Sequence, residues 1–149
     1  YQFIHHKWRK EPFASKQLFD VHYSISQKAF SVTYQALFPH FAGKTDFALK
    51  ANYDAVRWNN FFGLGNETVF KINDINYYRM RTQEWLVNPE LIRKFGMSQI
   101  SASVFFQSIK NLNDTDRFVA KIFESSHGIF ESKNFEGAQV NYNFQQIKD

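Results

Sequence analysis

From Gln17 onward the chain alternates apolar and polar residues with a period of two, and nothing else in it restricts the fold as much. Phe19, Val21, Tyr23 and Ile25 interleave with Leu18, Asp20, His22 and Ser24. Phe30, Val32, Tyr34, Ala36 and Phe38 interleave with Ser31, Thr33, Gln35 and Leu37. Phe47, Leu49, Ala51 and Tyr53 interleave with Asp46, Ala48, Lys50 and Asn52. Successive side chains on a strand point to opposite faces, so each segment reads as a strand with one apolar and one wet face. The intervening turns, 26–28 and 39–44, are short, which makes the arrangement an antiparallel up-and-down meander. A chain of 149 residues fits a single all-β domain, with 1–13 either a linker or a first strand.

The pattern resumes after a long irregular stretch, roughly 55–75. Tyr77, Arg79 and Arg81 share one face, opposite Tyr78 and Met80, while Trp85, Val87, Pro89 and Leu91 form the later apolar set. A change of parity predicts a β-bulge near 82–84. Asn88 as a cap and Pro89 at a first helical position support a competing short helix over 89–95. Ile100, Ala102, Val104 and Phe106 then face away from Gln99, Ser101, Ser103, Phe105 and Gln107. A polar loop spans 110–116. Phe118, Ala120 and Ile122 begin another strand, and Ala138, Val140, Tyr142 and Phe144 mark the last one, opposite Gly137, Gln139, Asn141, Asn143 and Gln145. Seven strands are expected, with an eighth at the N-terminus.

The polar face decides which kind of sheet this is. A soluble barrel turns its apolar face inward, whereas an outer-membrane barrel turns it towards lipid and lines its lumen with polar groups. Over Ser31, Thr33, Gln35, Ala48, Lys50, Asn52, Gln99, Ser101, Ser103, Gln107, Gln139, Asn141, Asn143 and Gln145 there is one lysine and no glutamate. A solvent face normally carries many of both. The 18 Phe, 7 Tyr and 3 Trp are abundant, and tyrosines recur on the apolar face, as suits a ring at a membrane interface. A transmembrane β-barrel follows. Phe30, Val32, Tyr34, Phe47, Leu49, Tyr53, Ile100, Val104, Phe106, Val140 and Tyr142 would face lipid. Tyr77, Arg79, Arg81, Lys50, Gln99, Asn141 and Asn143 would face the lumen.

Other classes find little support. The net charge of +4 is scattered, which argues against nucleic-acid binding. Cysteine is absent. His5 and His6 would point to opposite strand faces, and Asp114 and Asp116 lack the spacing of a calcium loop, so neither metal nor cofactor is expected. No nucleophile elbow, zinc-protease or phosphate-loop motif occurs, and no catalysis is expected in this chain. No apolar run reaches the ~20 residues of a spanning helix, which leaves strands open.

The irregular stretch carries a specific motif: Asn60, Phe61, Phe62, Gly63, Leu64, Gly65, Asn66, Glu67 and Thr68, followed by Tyr77-Tyr78-Arg79. It resembles the C-terminal outer-membrane barrel of a bacterial surface-antigen-like family in the outer-membrane assembly-factor superfamily. Pro12-Phe13 and the Tyr142–Phe144 strand look similar too. Such barrels often follow soluble domains, including calcineurin-like metallophosphoesterases. The resemblance implies a Gram-negative outer-membrane location, lipids as partners, an upstream soluble domain holding any phosphoesterase activity, and a barrel of about sixteen strands. This chain would supply the N-terminal half, the alternative being a closed eight-stranded barrel. The superfamily's lumen-inserted Arg-Gly loop and a terminal aromatic residue are missing. The functions expected are a membrane anchor or a translocation or assembly component. A soluble lipocalin-like barrel with an apolar ligand is the alternative, and a β-sandwich binding module a third reading. The loop would be a rim structure or a plug, with Glu67 first and Asp46 second as partners for Arg79 and Arg81.

Overall fold

The computed structural model describes residues 1–8, 11–26, 28–65, 72–123 and 128–144. Their strands form one antiparallel up-and-down sheet in chain order: β1 (Gln2–His5), β2 (Ser15–Ser24), β3 (Ala29–Ala42), β4 (Thr45–Asn60), β5 (Arg79–Phe95), β6 (Ser98–Asn111) and β7 (Lys133–Phe144). The sheet is not closed into a barrel, and β1 and β7 are its edges. It is one continuous sheet, not the two packed sheets of a sandwich. The N-terminal segment does form a strand, pairing Phe3 with Gln17 and His5 with Ser15.

The alternation places the side chains as its period requires. On one face the register joins Tyr23 to Phe30, Val32 to Tyr53 to Trp85, Tyr34 to Ala51 to Val87, Ala36 to Leu49 to Pro89, and Phe38 to Phe47 to Leu91. The same face continues through Phe106, Val104, Ala102 and Ile100 to Ala138, Val140 and Tyr142. Its middle row (Ala36, Leu49, Pro89, Val104, Ala138) is aliphatic, and aromatic residues lie towards both strand ends.

Three expectations are corrected. No helix forms over 89–95, because β5 runs unbroken to Phe95 with both neighbours paired. The bulge lies in β4 instead of β5: pairing shifts between Asp54 and Arg57, while β5 keeps one register with β6 from Thr82 to Phe95. The segment Phe118–Ile122 is a helix, α1, and not a strand. The segment is equally compatible with a helix, in which Phe118 and Ile122, and Val119 and Phe123, lie four apart on shared faces, with Val119 buried.

Little of the chain is buried. Among the described residues the buried apolar side chains are Ala29, Ala36, Pro39, Tyr78 and Val119. The accessible surface is 11201 Å², against about 7,900 Å² for a compact protein of this mass. The excess is what a single-layer sheet produces: neither face is covered by a second layer.

Each sheet end carries connections of different length, the 6–14 connection lying at the end of the 43–44 and 96–97 turns and the short 25–28 turn at the other. The turns at 43–44 and 96–97 are tight, with Gly43 and Gly96 at φ +64° and +57°. The opposite end carries the long connections 61–78 and 112–132. There a 3-10 turn (Ile75–Tyr78) and α1 pack on one another.

Candidate functional site

The apolar face is exposed as a band. On β5 it is bounded by Gln83 and Arg93, and on β6 by Ser98 and Ser108; positions 83–93 and 98–108 each span eleven residues. A tilted strand needs ~9–11 residues to cross the hydrocarbon of a bilayer. Phe30, Trp85, Ile100, Val104, Phe106, Val140 and Tyr142 in this band are all exposed. Tyr142 Oη, at the margin, lies 3.0 Å from Ser98 Oγ, and nearer the middle Tyr34 Oη donates at 2.9 Å to Oε1 of Gln17, the β2 partner of Ala36. Burying such a surface against an apolar medium yields roughly 25 cal/mol per Å².

The wet face is concave. A hollow of about 520 Å³ is lined by Gln2, Lys16, Leu18, Gln35, Leu37, Lys50, Asn88 and Glu90, drawn from β1 to β5. Gln99, Asn141 and Asn143 share this face further along, through Lys94↔Gln99↔Asn143 and Ile92↔Ser101↔Asn141. Towards the loop end the wet face is cross-linked by side chains. Arg57 donates to Glu84 Oε2 at 2.8 Å, and Gln107 donates to Glu84 Oε1, so one carboxylate joins β4, β5 and β6. The buried Thr82 hydroxyl accepts from Asn59 at 2.9 Å and donates to the Arg57 carbonyl at 3.2 Å, which secures the backbone just past the β4 bulge.

Lower on this face the ring of Phe105 covers Gly137. A Cβ at residue 137 would stand 2.5 Å from Phe105 Cε1, so the glycine is what admits the ring.

The two long connections meet in an aromatic cap at the sheet end. Phe61 N donates to the Tyr78 carbonyl at 2.8 Å, and its ring lies 6.1 Å from Phe118 and 5.9 Å from Phe123. Phe62 packs on Tyr78 at 5.4 Å, and Tyr78 packs on Phe118 at 5.0 Å. Tyr78 is 1% exposed, and its hydroxyl accepts from Ile72 N at 3.1 Å. Tyr77 stands edge-on to Tyr78, with the Lys121 ammonium 5.1 Å from its ring centre. Asp74 caps the 3-10 turn by accepting from Asn76 N at 2.9 Å. Arg117 stacks over Trp58 at 5.3 Å and donates to the Asn76 carbonyl. Gly63 and Gly65 take φ of +118° and +82°, which lets the chain leave β4 sharply after Phe62. Leu64 is exposed, and Asn60 ends β4 opposite Arg79. Asn66, Glu67 and Thr68 lie outside the described residues.

Three residues expected on the wet face are elsewhere. Tyr77 belongs to the cap and not to a strand. Arg79 and Arg81 have the parity of Trp85 and Val87, because β5 has no bulge to switch it. Arg79 donates to Asn76 Oδ1 at 3.2 Å. Arg81 forms a two-bonded ion pair with Asp114, Nε to Oδ2 at 2.6 Å, and so ties β5 to the 112–132 connection. Asp46, the second partner expected, sits at the far end of the sheet opposite Ile92 and accepts from His40 N at 2.8 Å. No local signal marks Asp114 as the partner, since it is 33 residues from Arg81.

Among the described residues no group of three metal-ligating side chains occurs. His22 bonds Asp20 at 2.8 Å on the wet face. The geometry sets an apolar face of the sheet against a polar one. No helix is long and apolar enough to cross a membrane, a statement that does not bear on strands. In comparison with known proteins no family model, no curated protein and no solved structure matches the chain.

Proposed function

We propose that this chain is a segment of a β-barrel in the bacterial outer membrane, serving as an anchor or as a translocation or assembly component, with no chemistry of its own. The observation that carries the reading is the band: an apolar face nine residues tall between its polar margins, backed by a concave polar face that carries Gln35 and Asn88 together with Lys16, Lys50 and Glu90. That is the inside-out distribution of a barrel that meets lipid outside and water within. The two longest connections, 61–78 and 112–132, leave the same end of the sheet, which supports it as well. So does the resemblance of the Phe62-Gly63-Leu64-Gly65 motif to surface-antigen-like barrels. A soluble lipocalin-like barrel would need Phe30, Val32, Tyr34, Phe47, Leu49, Val104 and Phe106 inside; the register puts them together on one face, and of these Leu49 alone also lines the hollow.

The test is fractionation. Expressed in a Gram-negative host, the chain should stay with the outer-membrane fraction through urea washing and need detergent for release. Recovery as a detergent-free soluble monomer would overturn the reading.

A further inference from the structure

We infer that the free edge of β7 is built to receive an antiparallel strand of β6-like chemistry, and that a second copy of this sheet cannot supply it. The first half comes from the edge itself. β7 is twelve residues long, and only Gly137 is less than exposed; Val140 and Tyr142 are each 69% exposed. The apolar band and the polar face both run undiminished to this last strand, as Ala138, Val140, Tyr142 and Phe144 on one side and Gln139, Asn141 and Asn143 on the other. β7 is little guarded as a terminal edge: it is long, contains no proline, and its charges, Lys133 and Glu136, stand in its first four residues, leaving none from Gly137 to Phe144. Its outward N–H and C=O groups must be paired if they lie at membrane depth.

The second half comes from parity. In an up-and-down sheet of seven strands, β1 and β7 run in the same direction. Joining β7 of one copy to β1 of another would therefore be parallel, which breaks an all-antiparallel barrel. Joining β7 to β7 about a two-fold axis normal to the sheet is antiparallel and keeps the apolar faces together. It also places the long loops of the two copies on opposite sides of the bilayer. This exclusion rests on the membrane reading proposed above; the need for an antiparallel neighbour does not. The occupant is thus a strand from outside β1–β7, alternating apolar residues with Gln, Asn, Ser or Thr. All-antiparallel closure onto β1 takes an odd number of such strands.

The chain has no cysteine, so Val140→Cys and Gln139→Cys place single thiols on the two faces of β7. The probe is a synthetic peptide of residues 98–111 with Ala102→Cys, added under mild oxidation to each variant reconstituted in phosphatidylcholine vesicles. Matching of faces requires the peptide to couple about tenfold more to Val140→Cys than to Gln139→Cys. Equal coupling, or no coupling to a chain that has inserted, overturns the edge inference and leaves the membrane reading standing. Val140→Cys homodimers that the peptide cannot displace also overturn it. A chain that floats free of the vesicles sinks the membrane reading, and peptide coupling to that free chain still decides the edge.

Discussion

The side-chain amide of Asn88 donates to the main-chain carbonyl of Val104 at 3.1 Å, across the gap that Pro89 leaves in the sheet. Pairing of β5 with β6 is continuous except at residues 88 and 89. Proline has no N–H, so the Val104 carbonyl opposite it loses its ladder donor, and the neighbouring side chain replaces it. The repair sits in the middle row of the apolar band, where an unpaired carbonyl is costly. Asn88→Ala should therefore lower stability by about 1–2 kcal/mol. In Pro89→Val, which restores the N–H, the same substitution should cost much less. A double-mutant cycle of denaturant midpoints measures the coupling, and additive effects would show that Asn88 plays no such part.

Gly137 and Phe105 make a second dependent pair. Gly137→Ala should destabilise by about 1–3 kcal/mol, because the new methyl group meets the Phe105 ring and nothing softer. Adding Phe105→Ala should recover most of that loss. Unfolding of the two variants by urea reads this directly, and an unchanged midpoint for Gly137→Ala would mean that the ring does not rest there.

The ion pair of Arg81 with Asp114 should hold the 112–132 connection against the sheet end. Both side chains are partly exposed, so Asp114→Asn is expected to cost no more than about 1 kcal/mol of global stability. Its clearer effect should be local: faster proteolytic cleavage within 112–117, with the β6 and β7 fragments otherwise intact. Cleavage unchanged by the substitution would contradict this.

The alternation fixed the faces of β2, β3, β4, β6 and β7 from sequence, because a period of two leaves no other assignment once one face is apolar. Where the reading failed, the pattern was degenerate or the information was remote. Tyr77-Tyr78-Arg79 alternates like a strand, yet Ile75–Tyr78 is a 3-10 turn held by the Asp74 cap and by ring packing on Phe118. Arg79 and Arg81 share the parity of Trp85, and only a bulge in β5 would put them on the opposite face; the register has none there. The change of parity places a bulge, an extra residue, near 82–84 of β5, but the register puts the extra residue in the facing strand, between Asp54 and Arg57 of β4, which only the alignment of the two strands can show. Phe118–Ile122 is five residues long, too short for periodicity to separate helix from strand. The partner of Arg81 came from a different connection, and no local spacing could name it.

The two faces should respond oppositely to charge. Leu49→Arg, in the middle row of the band, should lower folding stability in lipid vesicles by roughly 2–4 kcal/mol. Asn141→Arg, on the concave face, should change it little. Equal penalties would show that both faces meet the same medium.

The most direct measurement uses Trp85, which lies on the apolar face and is 43% exposed. With Trp8→Phe and Trp58→Phe it becomes the sole tryptophan of the chain. Reconstituted in vesicles of bromine-labelled phosphatidylcholine, its fluorescence should be strongly quenched by the lipid and scarcely touched by aqueous iodide. Efficient quenching by iodide, with none by the brominated acyl chains, would contradict the claim that this face is built for lipid.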